Sequence, residues 1–194
     1  MRLYLVRHGQ PEVAAGVCYG RTDLAVSARE QDRVLSNLAR QVPAALLASA
    51  PIFSSPLQRC ASLAQALSAQ WGCGPVQLDA RLAELDFGRW EMQAWDAIDR
   101  GEIDAWSADL VDYQPGGGES VLQMAARVQA FSLALKAQQL PSAIVIAHAG
   151  TMRLLSAARR AADLREMALK AARTPHAIAY GGVLGYCKDS CVTE

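Results

Sequence analysis

An uninterrupted apolar run, Ala143-Ile144-Val145-Ile146-Ala147, does most to limit the folds open to this sequence. A run this short and this rich in β-branched residues is typical of a strand buried on both faces of a sheet. Two similar runs, Leu3–Val6 and Ala50–Phe53, predict two more buried strands, and Val76–Leu78 predicts a weaker one. Strands of this kind occur mainly in parallel sheets that are covered by helices on both sides.

Helical patterns alternate with these strands. Ser27-Ala28-Arg29-Glu30 has the form of a capping box and precedes apolar residues at helical spacing. Pro56 suits the first position of a second helix, and another helix is predicted to begin at Thr151. Two further helices are predicted at about 121–135 and 163–172. We therefore predict an α/β fold, a three-layer α/β/α arrangement with a mostly parallel sheet and helices on both faces.

Two segments depart from this alternation. The stretch from Arg81 to Gly118 contains three of the four tryptophans and ends in a proline followed by three glycines, so we predict a small helical cap inserted at about 81–118. Near the C-terminal end, Ala177–Tyr180 and Val183–Cys187 flank a pair of glycines, which predicts a hairpin. The length of 194 residues suits one domain spanning 1–194.

Charge and composition narrow the possible partners. Lysine plus arginine equals aspartate plus glutamate, at 19 each, so there is no general attraction for nucleic acid or an anionic membrane surface. The five cysteines lack the spacing of a zinc site, and the N-terminus does not resemble a signal peptide. No apolar run is long enough to cross a bilayer. These features predict a reduced, cytoplasmic protein without a metal or cofactor.

Basic side chains follow three of the predicted strands. Arg7 and His8 come directly after the first strand, Arg59 lies near the start of the helix after the second, and His148 follows the AIVIA strand. The carboxyl ends of parallel strands meet at one edge of the sheet, where such folds bind ligands. Arginine matches phosphate oxygens and a neutral imidazole can attack phosphorus. The sequence therefore predicts a phosphoryl-binding site at this edge.

Each of these residues also has an ordinary explanation. An Arg-His pair after a strand is compatible with a solvated loop, and Arg59 with an exposed helix residue. His148 could be a hydrogen-bonded structural histidine. The functional interpretation is favoured because the coincidence would otherwise have to recur at three separate strand ends.

Four short motifs, in this order, resemble those of the histidine phosphatase superfamily, the group that contains cofactor-dependent phosphoglycerate mutase. They are Leu5-Val6-Arg7-His8-Gly9-Gln10, Ser54-Ser55-Pro56-Leu57-Gln58-Arg59, Glu84 with Leu85-Asp86-Phe87-Gly88-Arg89-Trp90-Glu91, and His148-Ala149-Gly150. The resemblance covers the chain from its start to about residue 150. Arg-His-Gly alone would be a weak signal, whereas the ordered set is specific.

The resemblance implies a role for each motif. His8 would be the nucleophile that becomes phosphohistidine. Three residues would bind the phosphoryl oxygens, namely Arg7, Arg59 and His148. Glu84 would protonate the leaving oxygen and later help to activate water. The resemblance therefore implies a metal-independent phosphatase acting on a small-molecule phosphomonoester.

Further residues are assigned less directly. By the same resemblance, five residues would bind substrate: Gly9, Gln10, Gly20, Arg21 and Ala149. Asp86 and Glu91 remain alternatives to Glu84, because both carboxylates lie in the same motif. The tryptophans are expected in the core, with Trp90 packing so that it positions Glu84. His176 matches no motif and is expected to be structural or exposed.

The segment after the acid motif bears on the substrate. It reads Trp90-Glu91-Met92-Gln93-Ala94-Trp95-Asp96, without the Glu-Arg-His-Tyr-Gly stretch of phosphoglycerate mutases. This segment and the Cys18-Tyr19-Gly20-Arg21 loop look more like alpha-ribazole phosphatases, although Met92 replaces a glycine usual in that pattern. A larger side chain at that position is expected to change the shape of the cap or pocket.

Several alternatives remain open from the sequence. They are a phosphoglycerate mutase, a phosphohistidine protein phosphatase and a phospholigand-binding module without catalysis. The long insertion favours a covered, small-molecule site over a protein substrate. The oligomeric state is also open. The C-terminal hairpin is compatible with pairing across a homodimer and with packing on its own sheet.

Overall fold

The computed structural model describes residues 1–175, 177–187 and 190–192, with side chains up to residue 187. Its strands are β1 (Arg2–Arg7), β2 (Ile52–Ser54), β3 (Gln77–Leu78), β4 (Ser142–Ala147), β5 (Val183–Cys187) and β6 (Ser190–Val192). In the described part of the chain they form one sheet in the order β3-β2-β4-β1-β5-β6. The first four strands in this order are parallel, whereas β5 and β6 are antiparallel to their neighbours. The predicted, mostly parallel sheet is confirmed.

Seven α-helices accompany the sheet within the described residues. They are α1 (Ala28–Gln41), α2 (Ala44–Leu47), α3 (Gln58–Trp71), α4 (Arg100–Ala108), α5 (Val121–Ala137), α6 (Ala149–Ala157) and α7 (Leu164–Arg173). Short 3-10 helices lie at 80–82, 88–90, 95–97 and 115–117. None of the helices in these ranges is long and apolar enough to cross a membrane.

The alternating direction of side chains along the central strands creates two cores. In β1, Leu3 and Leu5 pack with α5, α6 and α7 on one face, whereas Val6 packs with α1 and α3 on the other. In β4, Val145 belongs to the first core and Ile144 to the second. Because successive strand residues point to opposite faces, an apolar run such as β4 serves both cores at once. The three-layer prediction is therefore confirmed.

Helix caps explain several of the boundaries. Ser27 Oγ accepts a hydrogen bond from Glu30 N, as the predicted capping box requires, but the Glu30 side chain binds Gln10 N in place of Ser27 N. The complete capping box lies at the start of α5, between Ser120 and Gln123. Helix α3 begins at Gln58, two residues after the predicted Pro56, because the backbone at Leu57 is still extended.

Of the two strands predicted for the C-terminal hairpin, Val183–Cys187 is confirmed as β5 and Ala177–Tyr180 is wrong. Ala177–Tyr180 is irregular, and the hairpin that forms joins β5 to β6. Gly181 adopts a φ of +72°, and its N–H donates to the His8 carbonyl oxygen, so the chain turns sharply over the end of β1. Because of this turn, residues 177–180 lie beside the carboxyl end of β1 and do not form a strand. His176 lies outside the described residues.

The segment from residue 81 to residue 118 contains the end of one 3-10 turn, three complete 3-10 turns and the helix α4. Its own small core contains Trp90, Ile98 and the loop residue Cys18. The final glycines pack tightly against the acid motif, since a Cβ at Gly116 would lie 2.1 Å from the Phe87 carbonyl oxygen. The run of glycines therefore allows two backbone segments to touch, which a larger residue would prevent.

Candidate active site

Five predicted catalytic residues line one cavity of about 580 Å³. They reach it from separate elements: the end of β1, the start of α3, the end of β4 and the segment after the 3-10 turn at 80–82. These residues are Arg7, His8, Arg59, Glu84 and His148. The structure therefore brings together side chains from both ends of the sequence, at the sheet edge expected for a parallel α/β fold.

His8 is buried, and its ring orientation is set by the main chain. Nδ1 lies 2.6 Å from the Gly9 carbonyl oxygen, which can only accept, so Nδ1 carries the proton of the neutral ring. Nε2 is then the nitrogen with a free lone pair. Burial, followed by the positive charge of Arg59, lowers the pKa of His8 to about 3, and Arg7 contributes in the same direction. His8 is therefore neutral over the ordinary pH range.

His148 is hydrogen-bonded to Arg59 and contacts the His8 ring. The His8 and His148 rings meet edge to face with their centroids 5.0 Å apart. Arg59 Nε donates to His148 Nδ1 at 3.2 Å, and His148 Nε2 then donates to Ser55 Oγ at 2.8 Å. Burial, and next the neighbouring His8, hold the pKa of His148 well below its usual range. Both histidines are thus neutral, and the charges of Arg59 and Arg7 favour this state because they lower both pKa values.

The Arg59 guanidinium is also tied to the loop that follows the first motif. Nη1 donates to the Thr22 carbonyl oxygen at 2.7 Å, and Nη2 donates to the Gly20 carbonyl oxygen. With only 1% of its surface exposed, Arg59 is a buried cation that joins α3, β4 and this loop. Such a network fixes the plane of the guanidinium, and a fixed plane favours bidentate binding of phosphate oxygens.

Arg7 is held by a residue that the sequence did not single out. Its guanidinium lies 3.9 Å from the centre of the Tyr180 ring, and Nη1 donates to the Ile178 carbonyl oxygen at 2.5 Å. Nε of Arg7 is buried without a hydrogen-bond partner in the described part of the chain. Tyr180 Oη lies 2.6 Å from Tyr19 Oη, and both tyrosines line the cavity. Tyr19 lies in the loop after the first motif, Tyr180 belongs to no recognised motif, and the two residues are 161 positions apart.

The Glu84 carboxylate sits at the beginning of α6. Oε2 accepts from Gly150 N at 2.9 Å, and Oε1 accepts from Leu85 N at 3.1 Å. A Cβ at Gly150 would lie only 2.4 Å from Glu84 Oε1. The amide groups at a helix start attract a carboxylate and fix its orientation. Glu84 is thus placed on the cavity wall by two backbone donors.

The two alternative acids occupy different positions. The Glu91 carboxylate accepts from the N–H groups of Gly20, Arg21, Thr22 and Phe87 and from the Thr22 hydroxyl. Burial alone would raise the pKa of Glu91, but these hydrogen bonds outweigh it and lower the pKa. Glu91 does not line the cavity and joins the 20–22 loop to the acid motif.

Asp86 is occupied in another way. It accepts from Gly88 N at 2.8 Å and lies 3.6 Å from the exposed Arg21 guanidinium. Of the three carboxylates in the motif, Glu84 is the one that lines the cavity.

The residues expected to bind substrate separate into two groups. Gln10 and Ala149 line the cavity, whereas Gly9, Gly20 and Arg21 do not. Gly20 packs against the acid motif, where a Cβ would lie 1.9 Å from the Leu85 carbonyl oxygen. Arg21 is directed to solvent, with 66% of its side chain exposed, because its backbone is held by Glu91 and its guanidinium by Asp86.

The sequence predicted that the tryptophans lie in the core, and this prediction is wrong for two of them. Trp90 is buried, with Nε1 donating to Glu102 at 2.6 Å. Trp95 and Trp106 line the cavity instead, and Trp95 is 37% exposed. Met92 does not line it: this residue is exposed and has a φ of +64°, a left-handed conformation that favours glycine. The replacement of glycine by Met92 therefore affects the backbone conformation at this position and not the shape of the pocket.

Within the described residues, no group of three or more histidine, cysteine, aspartate or glutamate side chains is arranged to hold a metal ion. The end of the cavity that contains His8 is called the phosphoryl end. Its charged groups are the guanidinium groups of Arg7 and Arg59 and the carboxylate of Glu84. The arrangement can bind a tetrahedral anion between the guanidinium groups and present a neutral imidazole to it.

Comparison with known proteins agrees with this geometry. Residues 3–177 match the model of the histidine phosphatase superfamily (branch 1). The chain is 35% identical over 172 residues to glucosyl-3-phosphoglycerate phosphatase from Mycolicibacterium vanbaalenii, covering 81% of this chain and 73% of the relative. It is 30% identical over 164 residues to adenosylcobalamin/alpha-ribazole phosphatase from Escherichia coli, covering 81% and 78%.

Solved structures show the same fold. The alpha-ribazole phosphatase from Shigella flexneri superposes with a TM-score of 0.78 at 24% identity, covering all of this chain and 95% of the other. The match to the family model extends over most of the sequence and includes all five predicted catalytic residues that line the cavity. This chain therefore belongs to the histidine phosphatase superfamily, branch 1.

Proposed function

We propose that this protein hydrolyses a small-molecule phosphomonoester through a phosphohistidine formed on His8. One observation carries the proposal: His8 is a neutral imidazole whose Nδ1 is anchored to Gly9, and it shares the cavity with the guanidinium groups of Arg7 and Arg59. A neutral ring has a lone pair available for attack, and fixed cations stabilise the charge on a transferring phosphoryl group.

In the first step, His8 Nε2 attacks phosphorus and the bond from phosphorus to the ester oxygen breaks. Glu84, in its protonated form, gives its proton to that oxygen, so an alcohol leaves and phosphohistidine remains. The guanidinium groups of Arg7 and Arg59 bind the phosphoryl oxygens throughout. The Nε2–H group of His148, which donates to Ser55 in this structure, would donate to the same oxygens when substrate is bound.

In the second step, the Glu84 carboxylate takes a proton from water, and the water oxygen attacks phosphorus. The bond between phosphorus and Nε2 breaks, inorganic phosphate leaves, and His8 returns to its neutral form. Positioning and protein cations supply the stabilisation that a metal ion gives in other phosphatases. We accordingly expect activity in the presence of a chelator.

The proposed substrate is a small molecule, and alpha-ribazole 5'-phosphate is the first candidate. It is favoured by the resemblance of the loop around Gly20 and of the segment after Trp90, together with the relative from Escherichia coli. The name of the relative from Mycolicibacterium vanbaalenii indicates glucosyl-3-phosphoglycerate as a second candidate. Both belong in the same assay.

The test compares wild type with His8→Ala and Glu84→Gln on a panel of esters without added metal. The panel contains alpha-ribazole 5'-phosphate, sugar phosphates, nucleotides and 3-phosphoglycerate. We expect His8→Ala to lose hydrolysis of every ester while its circular dichroism is unchanged. Activity retained in His8→Ala would refute the phosphohistidine mechanism.

Glu84→Gln separates the two steps. An ester with a good leaving group, such as nitrophenyl phosphate, needs no acid in the first step but still needs a base in the second. Glu84→Gln should therefore accumulate radiolabelled phosphohistidine from this ester, and wild type should not. An absence of labelled enzyme in both proteins would assign the acid and base role to another group.

The same panel tests the other candidate functions. Formation of 2-phosphoglycerate from 3-phosphoglycerate with a bisphosphate primer would indicate a mutase. Phosphate released only from a phosphohistidine protein would indicate a protein phosphatase. Phosphate binding without hydrolysis of any ester would indicate a binding module.

A further inference from the structure

The cavity has a second end that the proposed chemistry does not use. Its wall is aromatic and consists of Phe87, Trp95 and Trp106, which we call the aromatic wall. The Trp95 and Trp106 rings are stacked, with 5° between their planes and 6.0 Å between their centroids. The Phe87 ring meets both of them edge to face, at 90° and 89°. These three rings contact one another, and all of them line the cavity.

The aromatic wall is held in place from behind. Trp95 N donates to the Gly16 carbonyl oxygen at 2.9 Å, and a β-bridge joins Val17 to Ala94. The buried Trp90 ring packs against both wall tryptophans, and Nε1 of Trp90 is bound to Glu102. A rigid aromatic surface loses little conformational entropy when a ligand binds to it, which favours ring stacking.

The charges around the cavity also constrain the ligand. Apart from the groups at the phosphoryl end, Arg153 is the one charged residue among the described residues that line the cavity. Its Nη1 already donates to the Thr174 carbonyl oxygen at 3.0 Å. The remaining lining residues near the wall are small and apolar, including Ala14, Ala15 and Val17. Arg153 is therefore the one cation with which a carboxylate on the leaving group could pair there, and its Nε is buried without a hydrogen-bond partner among the described residues.

We propose that the aromatic wall binds the alcohol part of the substrate, and that this part is a flat, uncharged aromatic group. The proposal rests on the phosphatase function above and adds the class of leaving group. It separates the two candidate substrates, because an aromatic base fits the wall and the sugar-linked glycerate of a glucosylated phosphoglycerate, with its charged carboxylate, does not.

The test uses esters of primary alcohols, so that the leaving oxygen has similar chemistry in each. Naphthylethyl phosphate carries a flat ring, ethyl phosphate carries none, and phosphoserine carries charges in place of the ring. We expect kcat/KM to be at least about 10-fold higher for the naphthylethyl ester than for either of the others, the size expected for aromatic stacking together with apolar burial.

Variants of the wall identify the residues responsible. Trp95→Ala should reduce the naphthylethyl-to-ethyl ratio of kcat/KM by about 10-fold, and Trp95→Phe should restore part of it. Trp71→Ala is the matched control, since Trp71 packs partly buried against the core between the sheet and α1 and α3, away from the cavity. It should leave the ratio unchanged. The ratio is independent of the fraction of enzyme that is active, so partial unfolding does not affect it.

The outcomes distinguish this proposal from the proposed function. Hydrolysis of all esters without an aromatic preference, or a preference that survives Trp95→Ala, would overturn the aromatic wall proposal and leave the phosphatase proposal intact. A preference for phosphoserine would also overturn it and would indicate that Arg153 binds an anion. Hydrolysis of none of the esters, together with no phosphohistidine, would reject the proposed function itself.

Discussion

The two ends of the cavity are built in different ways. At the phosphoryl end, the basic residues Arg7, His8, Arg59 and His148 are placed by the ends of buried strands and the start of a helix and are almost fully buried, whereas Glu84 follows a 3-10 turn and is partly buried. The aromatic wall consists of residues from irregular segments and one short helix, held by backbone hydrogen bonds and ring contacts. This contrast indicates that the proposed chemistry depends mainly on residues placed by the sheet, whereas the proposed selection of substrate depends on segments that can vary without disturbing the sheet.

The largest expected effect is at the phosphoryl end. Arg59→Ala removes a buried guanidinium that binds His148, Thr22 and Gly20. We expect kcat to fall by about 10²–10³-fold, the usual cost of removing one donor to a developing charge. The fall should be similar for aromatic and non-aromatic esters, in contrast to Trp95→Ala. A loss confined to aromatic esters would show that the two ends are not separate.

The pH dependence tests the buried state of His8. With a folded pKa of about 3 and an ordinary value of 6.5, His8 takes up a proton more readily in the unfolded chain between these limits. The folded protein should therefore lose about 1.4 kcal/mol of stability for each pH unit below 6.5 through this group alone. Denaturant unfolding of wild type and His8→Asn at pH 7, 5 and 4 measures the difference. Equal slopes for the two proteins would contradict the buried, neutral His8.

Glu91 connects the two ends, and its replacement tests that connection. Glu91→Gln keeps the shape of the side chain, but an amide has one accepting oxygen in place of the two that now receive five donors. We expect unfolding to become easier by about 2 kcal/mol, from donors left without acceptors. Glu166→Gln, at an exposed ion pair on α7, is the control and should change stability little. A similar change in both variants would show that Glu91 is an ordinary surface residue.

The smallest effect concerns Met92, which lies between the acid motif and the aromatic wall. Its φ of +64° costs free energy for any residue with a Cβ, and its side chain is exposed. Met92→Gly should therefore raise the free energy of unfolding by about 0.5–1 kcal/mol, after allowing for the greater freedom of glycine in the unfolded chain. Thermal unfolding measures the shift. A decrease in stability would show that the Met92 side chain makes a contact of greater value.

The extent to which the sequence predicted this structure follows the same division. The strand at β4 was predicted to within one residue, because an apolar run that serves two cores has a strong and local pattern. The end of β1 and the start of α3 were close enough to group Arg7, His8 and Arg59. Tyr180 was assigned no role, and Glu91 was considered only as an alternative acid, since the contacts of both residues depend on how loops fold back on the sheet.

Errors arose where a distant contact outweighed a local pattern. The two glycines after Tyr180 suggested a hairpin turn, but the bond from Gly181 N to the His8 carbonyl oxygen directs the chain over the sheet edge. The tryptophans were expected in the core because tryptophan side chains are usually buried, and Trp90 does lie there. Trp95, in a 3-10 turn, and Trp106, in α4, line the cavity instead.

The close approach at Gly150 has a consequence for tolerance to mutation. The residue has no functional group, and its backbone conformation is one that other residues can adopt. The space that a methyl group would need is already occupied by the Glu84 carboxylate. In a survey of all single substitutions, Gly150 would therefore resemble a catalytic position, although what it contributes is a missing atom.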